Sequence, residues 1–175
     1  MCIYKSAALL VLMAAPAVGA ESPHLGQPIS PRDAAAWDIS IDPSGAGLPP
    51  GRGTAKQGET VYAEHCLACH GEKGEGQPND RLVGGFGTLA GSQPAVKTVG
   101  SYWPYATTLF DYVRRAMPLT EPQSLTADQI YAVSAYILML NGIVGPTDVM
   151  DAKTLPRVKM PNRDNFYVVY PGKLE

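Results

Sequence analysis

Residues 66–70 read Cys66-Leu67-Ala68-Cys69-His70, and no other stretch of the chain limits its fold so tightly. Two thiols two residues apart, followed at once by an imidazole, form the C-x-x-C-H attachment signature of c-type haem. Each thiol can close a thioether on one porphyrin, and the histidine can reach the iron. A chain that carries such a group must fold around a large, flat, apolar body. Three other uses of these residues compete. A redox-active disulfide between Cys66 and Cys69 belongs in a βαβ context, whereas the periodicity around them is helical. Structural zinc takes four ligands, commonly from two separated pairs. The chain offers no second C-x-x-C or H-x-x-x-H, and only His24 and His65 besides His70. A pair of inert buried cysteines leaves the adjacent histidine unexplained. One covalent haem c on Cys66 and Cys69 is the expectation, with His70 as an axial iron ligand.

Residues 1–20 have the layout of a secretory signal peptide. Lys5 is their sole charge, Ala7 to Val18 form a short apolar run, and Val18-Gly19-Ala20 is a small-residue cleavage site. The run is too short to span a bilayer comfortably and Pro16 interrupts it, so no membrane anchor is expected. The predicted address is the periplasm. Cys2 would leave with the signal, and no lipid-anchor pattern follows it. The remaining ~155 residues suit a single domain. They keep two cysteines, both used by the haem, so no disulfide is expected even though the compartment permits one. The full chain balances 14 Lys and Arg against 16 Asp and Glu, which argues against nucleic acid or an anionic membrane as partner. Its 18 glycines and 16 prolines point to much loop. A loop-rich small domain buries little protein core, a deficit that a buried haem offsets.

The expected class is all-α, with long loops and two extended arms. Residues 21–53 are rich in Pro and Gly and read as an extended N-terminal arm without a helix, in which Ala34 to Ile39, including Trp37, is an apolar island able to dock. The haem domain is expected over 54–142. Its first helix runs from a Thr54 N-cap to Cys66, with Gly58, Val61, Tyr62 and His65 on one face. A mid-helix glycine costs about 1 kcal/mol against alanine, which makes sense if another helix crosses closely at Gly58 beside Tyr62. Residues 71–104 form a long glycine-rich excursion, suited to wrapping a cofactor edge. Thr108-Leu109-Phe110-Asp111 reads as a helix start, and Met117-Pro118 ends that helix. Thr126-Ala127-Asp128-Gln129 starts the last helix, which Asn141-Gly142 stops. Residues 143–175 read as a second extended arm.

The second axial ligand must come from elsewhere. Methionine is the common partner of histidine in electron-carrying cytochromes, and Met117, Met139, Met150 and Met160 follow the signal. Met139 lies within a helix and reads as core. Met117 stands at a helix end, where Pro118 blocks continuation and biases it to extended backbone. Met117 is the best placed, and Met160, also followed by a proline, is second. His65 directly precedes Cys66 on the helix and is expected to point away from the distal face, while His24 lies remote in the arm. Two protein ligands leave no open iron position, which favours electron transfer over oxygen or peroxide chemistry. No substrate catalysis is expected of this chain alone.

Gly58 and Tyr62 on one helix, C-x-x-C-H, a Met-Pro ligand loop and a final amphipathic helix resemble class I cytochrome c over about residues 54–142. The likeness narrows with Thr98-Val99-Gly100-Ser101-Tyr102-Trp103-Pro104-Tyr105, Tyr112-Val113-Arg114-Arg115-Ala116-Met117-Pro118 and Tyr131 to Leu138. With Ala36-Trp37-Asp38-Ile39 upstream and Pro156 to Asp164 downstream, the chain resembles the SoxD-like cytochrome subunits of bacterial sulfane (sulfur) dehydrogenase. Related subunits serve sulfite dehydrogenases. The resemblance implies a periplasmic partner subunit with a molybdopterin cofactor, which oxidises protein-bound sulfane sulfur or sulfite within thiosulfate oxidation. Some members carry a second haem domain, but one C-x-x-C-H here means one haem. A small cytochrome c is the implied acceptor.

Tyr102, Trp103 and Arg114 lie near the ligand loop in sequence and are candidates to hold the haem propionates. Both arms carry apolar or aromatic anchors, Trp37 and Phe166 among them, and are expected to wrap the partner. Two rivals remain: a free electron shuttle without a fixed partner, and an open-site haem enzyme or sensor.

Overall fold

The computed structural model describes residues 25–91 and 94–167. The signal-peptide segment 1–20, His24 and residues 168–175 lie outside the described residues. The chain divides into two units after Trp37. The first ends in a short helix, α1 (Pro31–Trp37), where the sequence reading expected none. Ser30 caps it, with Oγ accepting from the Asp33 amide at 3.1 Å and donating to the Asp33 carboxylate at 2.7 Å. Pro31 occupies the first helical position, where a missing N–H is harmless. No residue of α1 is buried.

In the second unit, strand β1 (Arg52–Thr54) leads directly into α2 (Ala55–His65). Thr54 caps α2 as expected and does so reciprocally. Its hydroxyl accepts from the Gln57 amide at 3.4 Å, and the Gln57 side chain accepts from the Thr54 amide at 2.9 Å, a full capping box. A single turn, α3 (Leu67–His70), follows. The described part of 71–105 contains no helix or strand. Helix α4 (Ala106–Ala116) begins two residues before the expected start at Thr108, with Tyr105 as N-cap and no side-chain cap. Burial overrides local capping chemistry here. Ala106, Leu109, Phe110 and Val113 form one buried stripe, and extending the helix back to Ala106 completes it. The same extension leaves the Thr107 hydroxyl buried without a partner. Helix α5 (Ala127–Leu140) starts at a second capping box between Thr126 and Gln129. It stops at Asn141, and Gly142 follows at φ +68°, a left-handed position that suits glycine.

Helices α2 and α5 cross where Gly58 was expected to permit it. A Cβ at position 58 would run into the Ala132 carbonyl and lie 2.8 Å from Tyr136 Cβ. One turn on, the Tyr62 and Tyr136 rings meet with centroids 5.2 Å apart. The crossing fixes the end of α2, and hence the start of the Cys66 turn, against α5.

The two arms need correction. From Asp38 onward the N-terminal stretch belongs to the second unit. Ile41 and Leu48 pack on the core, and the Tyr131 hydroxyl donates to the Pro49 carbonyl at 2.9 Å. At the other end, β2 (Val149–Asp151) pairs antiparallel with β1, Gly53 facing Met150. Leu155 and Met160 are fully buried in the same core as Tyr62, Phe110 and Leu138. Met150, Leu155 and Met160 follow neither the period of 3.6 nor that of 2, so no element stands out in the sequence, yet each is buried in the core. No helix among the described residues is long and apolar enough to cross a membrane.

Candidate functional site

The helical path breaks at Cys66, whose backbone (φ −125°, ψ −36°) ends α2 and opens the α3 turn. The amides of Cys69 and His70 both donate to the Cys66 carbonyl, at 3.1 and 3.0 Å. This one turn gathers two thiols and an imidazole. Both cysteines are free and partly buried. Burial, with Cys69 close by, pushes the Cys66 thiol up to about 11. A redox dithiol needs the opposite shift, toward thiolate at neutral pH.

His70 is held by a backbone group. Its Nδ1 lies 2.7 Å from the Asp80 carbonyl oxygen. A carbonyl only accepts, so Nδ1 carries the proton and the Nε2 lone pair is left for a metal. The loop that supplies this carbonyl is tied down at several points. The Gly76 amide donates to the His70 carbonyl at 2.8 Å and the Asn79 amide to the Cys69 carbonyl at 2.9 Å. The Tyr62 hydroxyl donates to the Gly71 carbonyl at 2.8 Å. Asn141 locks the far end of the loop to α5, donating to the Leu82 and Ile137 carbonyls at 3.2 and 2.9 Å while accepting from the Gly84 amide. The sequence marked Asn141 only as part of a helix stop.

Cys66, Cys69 and His70 open onto a cavity of about 820 Å³. Leu109 and Val113 of α4 and Val133 and Ile137 of α5 give it apolar walls, and Met117 and Trp103 stand on the same lining. Met117 is extended (φ −124°, ψ 145°) at the end of α4, the conformation its proline demands. The structure thus brings together five of the seven residues singled out in the sequence. Tyr102 and Arg114 are not on the lining. Arg114 instead reaches the Ile39 carbonyl at 3.5 Å, and the Tyr102 ring sits edge-on to Phe166. Met160 and Met150 are buried in the protein core, away from the lining. His65 is also on the lining. The two cations on the lining, Arg81 and Lys97, went unnoticed in the sequence. Both lie in the glycine-rich excursion, where Lys73 is the only other base. Lys97 Nζ lies 4.9 Å from the Tyr102 ring centroid.

These residues fit haem c. The cavity falls in the size range of small-cofactor sites, about 300–1,000 Å³. It offers two adjacent thiols, an imidazole with a free Nε2, a thioether, apolar walls, and cations for a carboxylate edge. No three His, Cys, Asp or Glu side chains among the described residues converge to hold a bare metal ion. A second cavity, about 480 Å³, lies where β1 meets the N-termini of α2 and α5. Several of its polar side chains are already engaged: Gln57 and Gln129 cap their own helices, and Asp128 accepts from the Arg52 amide at 2.7 Å.

Among known families, residues 55–141 match the model for cytochrome c. The crystal structure of the sulfane dehydrogenase SoxCD from Paracoccus pantotrophus is similar, with a TM-score of 0.77 and 38% sequence identity. That similarity covers 87% of this chain and 73% of that chain. No curated protein matches. The structural likeness extends well beyond α2 to α5, the span of the family match.

Proposed function

This chain belongs to the cytochrome c family, with the SoxD-like cytochrome subunits of sulfane dehydrogenase, and from that premise we propose how it works. It is a periplasmic one-haem subunit that takes electrons from a molybdenum-containing partner oxidising sulfane sulfur or sulfite. It passes them to a small cytochrome c. The observation that carries this is the convergence of Cys66, Cys69, His70 and Met117 on one apolar cavity.

Cys66 and Cys69 would hold haem c through thioethers, and His70 Nε2 and the Met117 thioether would ligate its iron. Haem c supplies a reversible one-electron couple, whose potential methionine ligation raises. The Asp80 carbonyl keeps the His70 ring in one tautomer and one orientation. Leu109, Val113, Val133 and Ile137 keep water from the cavity wall. Arg81 and Lys97, which line the cavity where Arg114 does not, would neutralise the propionates. With His70 and Met117 both holding the iron, no open position would be left for a substrate, so the chain would carry electrons and leave the sulfur chemistry to its partner. Residues 25–37 lie against the molybdenum subunit in this scheme, because Leu25, Ile29 and Trp37 expose large apolar side chains.

The test is co-expression with a molybdopterin oxidoreductase subunit of the sulfane dehydrogenase type, followed by purification through a tag on this chain. A complex holding molybdenum and covalent haem in equal amounts, its haem reduced on adding sulfite or a sulfane donor, is the expected result. A molybdenum-free monomer that exchanges electrons with many proteins would establish a free shuttle instead.

A further inference from the structure

The segment after β2 lies outside the cytochrome c match, yet it is built onto the wall of the haem cavity. Met160 is fully buried and anchors it. Two residues on, Asn162 is 7% exposed, and its amide donates to the Tyr102 carbonyl at 2.7 Å. A buried amide is costly unless its bonds are made, so packing alone would favour an apolar side chain at this place. Asn165 donates to the Asn162 oxygen at 2.9 Å, which aims the Asn162 NH₂ at Tyr102. Phe166 sits edge-on to the Tyr102 ring, centroids 5.6 Å apart. The Arg163 guanidinium lies 4.3 Å over the Tyr105 ring, at the N-cap of α4.

What these contacts grip is the strip 97–105. It puts Lys97, Thr98, Val99 and Trp103 on the cavity lining and leads into the helix that ends at Met117. We propose that residues 160–166 form a clasp, with Asn162 as its positioning residue, that holds this strip in place and so sets the environment of the haem. The proposal rests on the haem reading of the cavity. The clasp fixes the Tyr102 backbone, which carries Trp103 beside it and supports the Lys97 ammonium over its ring. Freed from the clasp, the strip loosens, and both the packing and the charge at the cavity wall change.

The experiment uses the full-length, haem-loaded protein with Asn162→Ala, Asn162→Asp and Phe166→Ala. Amide hydrogen exchange over 97–105 and the haem midpoint potential are read together, with exchange in α2 as internal reference. Losing one buried hydrogen bond should speed exchange of the strip about tenfold and displace the potential, with α2 unchanged. Asn162→Asp keeps the size but loses the donor, so it should match alanine. Phe166 is 46% exposed, so Phe166→Ala opens no core and should give a smaller change of the same kind. If Asn162→Ala does not fold, Phe166→Ala decides by the same readings. Unchanged exchange, or faster exchange at an unmoved potential, overturns the clasp. A wild-type Asn162→Asp overturns the hydrogen bond as its cause. A pyridine haemochrome spectrum without covalent haem would overturn the haem reading and the clasp with it, whereas a normal spectrum with an unmoved potential overturns the clasp alone.

Discussion

Replacing Gly58 by alanine sets two effects against each other, and the structure decides the sign. Alanine is the better helix former by about 1 kcal/mol, and Gly58 has ordinary helical backbone, so nothing local opposes the change. The opposition comes from α5. The new Cβ would run into the Ala132 carbonyl and stand 2.8 Å from Tyr136 Cβ, where carbon atoms prefer about 3.5–4.0 Å. One neighbour is backbone and the other a first side-chain carbon, so no change of rotamer relieves the overlap. The helices must part. Overpacking of this kind costs about 1–3 kcal/mol, and with backbone in the contact the upper half of that range applies. After the helix-propensity gain, a net loss of about 1–2 kcal/mol remains, or about 2–8 °C in Tm for a domain of this size. Because Val133 and Ile137 ride on α5 and line the cavity, the same parting should loosen the haem site. Thermal unfolding of the haem-loaded protein, followed by far-ultraviolet circular dichroism and by haem absorption, measures both. A Tm equal to or above that of the parent would refute the close crossing as the reason for glycine.

Met117→Ala should abolish the methionine–iron absorption of the oxidised protein and lower the midpoint potential; if the band persists, Met117 is not the iron ligand. Deleting residues 21–37 should leave covalent haem and its spectrum intact while the molybdenum subunit no longer co-purifies, and retention of that subunit would release this segment from the interface. Burial pushes the Tyr131 phenol up to about 12, above its ordinary value of about 10. The folded state therefore keeps the proton longer than the unfolded chain, and stability present below pH 10 is lost as pH rises toward 12. Tyr131→Phe should lose about 1 kcal/mol at neutral pH with the bond to Pro49 and show a shallower decline than the parent between pH 10 and 12 in urea titrations. An identical alkaline decline in both would remove Tyr131 from the account.

The parts of the fold that were legible before any coordinates share one property: their interactions close within about four residues. The two capping boxes at Thr54 and Thr126 are of this kind, as is the end of α4 at Met117-Pro118. Helix α1 had a local signal too, Ser30-Pro31-x-Asp33, but the surrounding Pro and Gly obscured it. The start of α4 was misplaced because Thr108 offers a good local cap, while the buried stripe from Ala106 to Val113 makes a stronger demand from outside the segment.

For the site the division is similar. By itself the sequence pointed to the cofactor class and nominated three attachments, since Cys66, Cys69 and His70 are consecutive enough for one turn to assemble them, and it nominated Met117 through the proline beside it. Only the tertiary structure decided what surrounds them. Arg81 and Lys97 reach the cavity from a loop without period. Asn141 secures Leu82 from 59 residues away and Asn162 secures Tyr102 from 60. The stretch from Met150 to Met160, polar and proline-rich in outline, turns out to plug the core at Met150, Leu155 and Met160. Contacts of that span are set by which surfaces meet after the helices have crossed, and a chain read residue by residue carries no periodic trace of them.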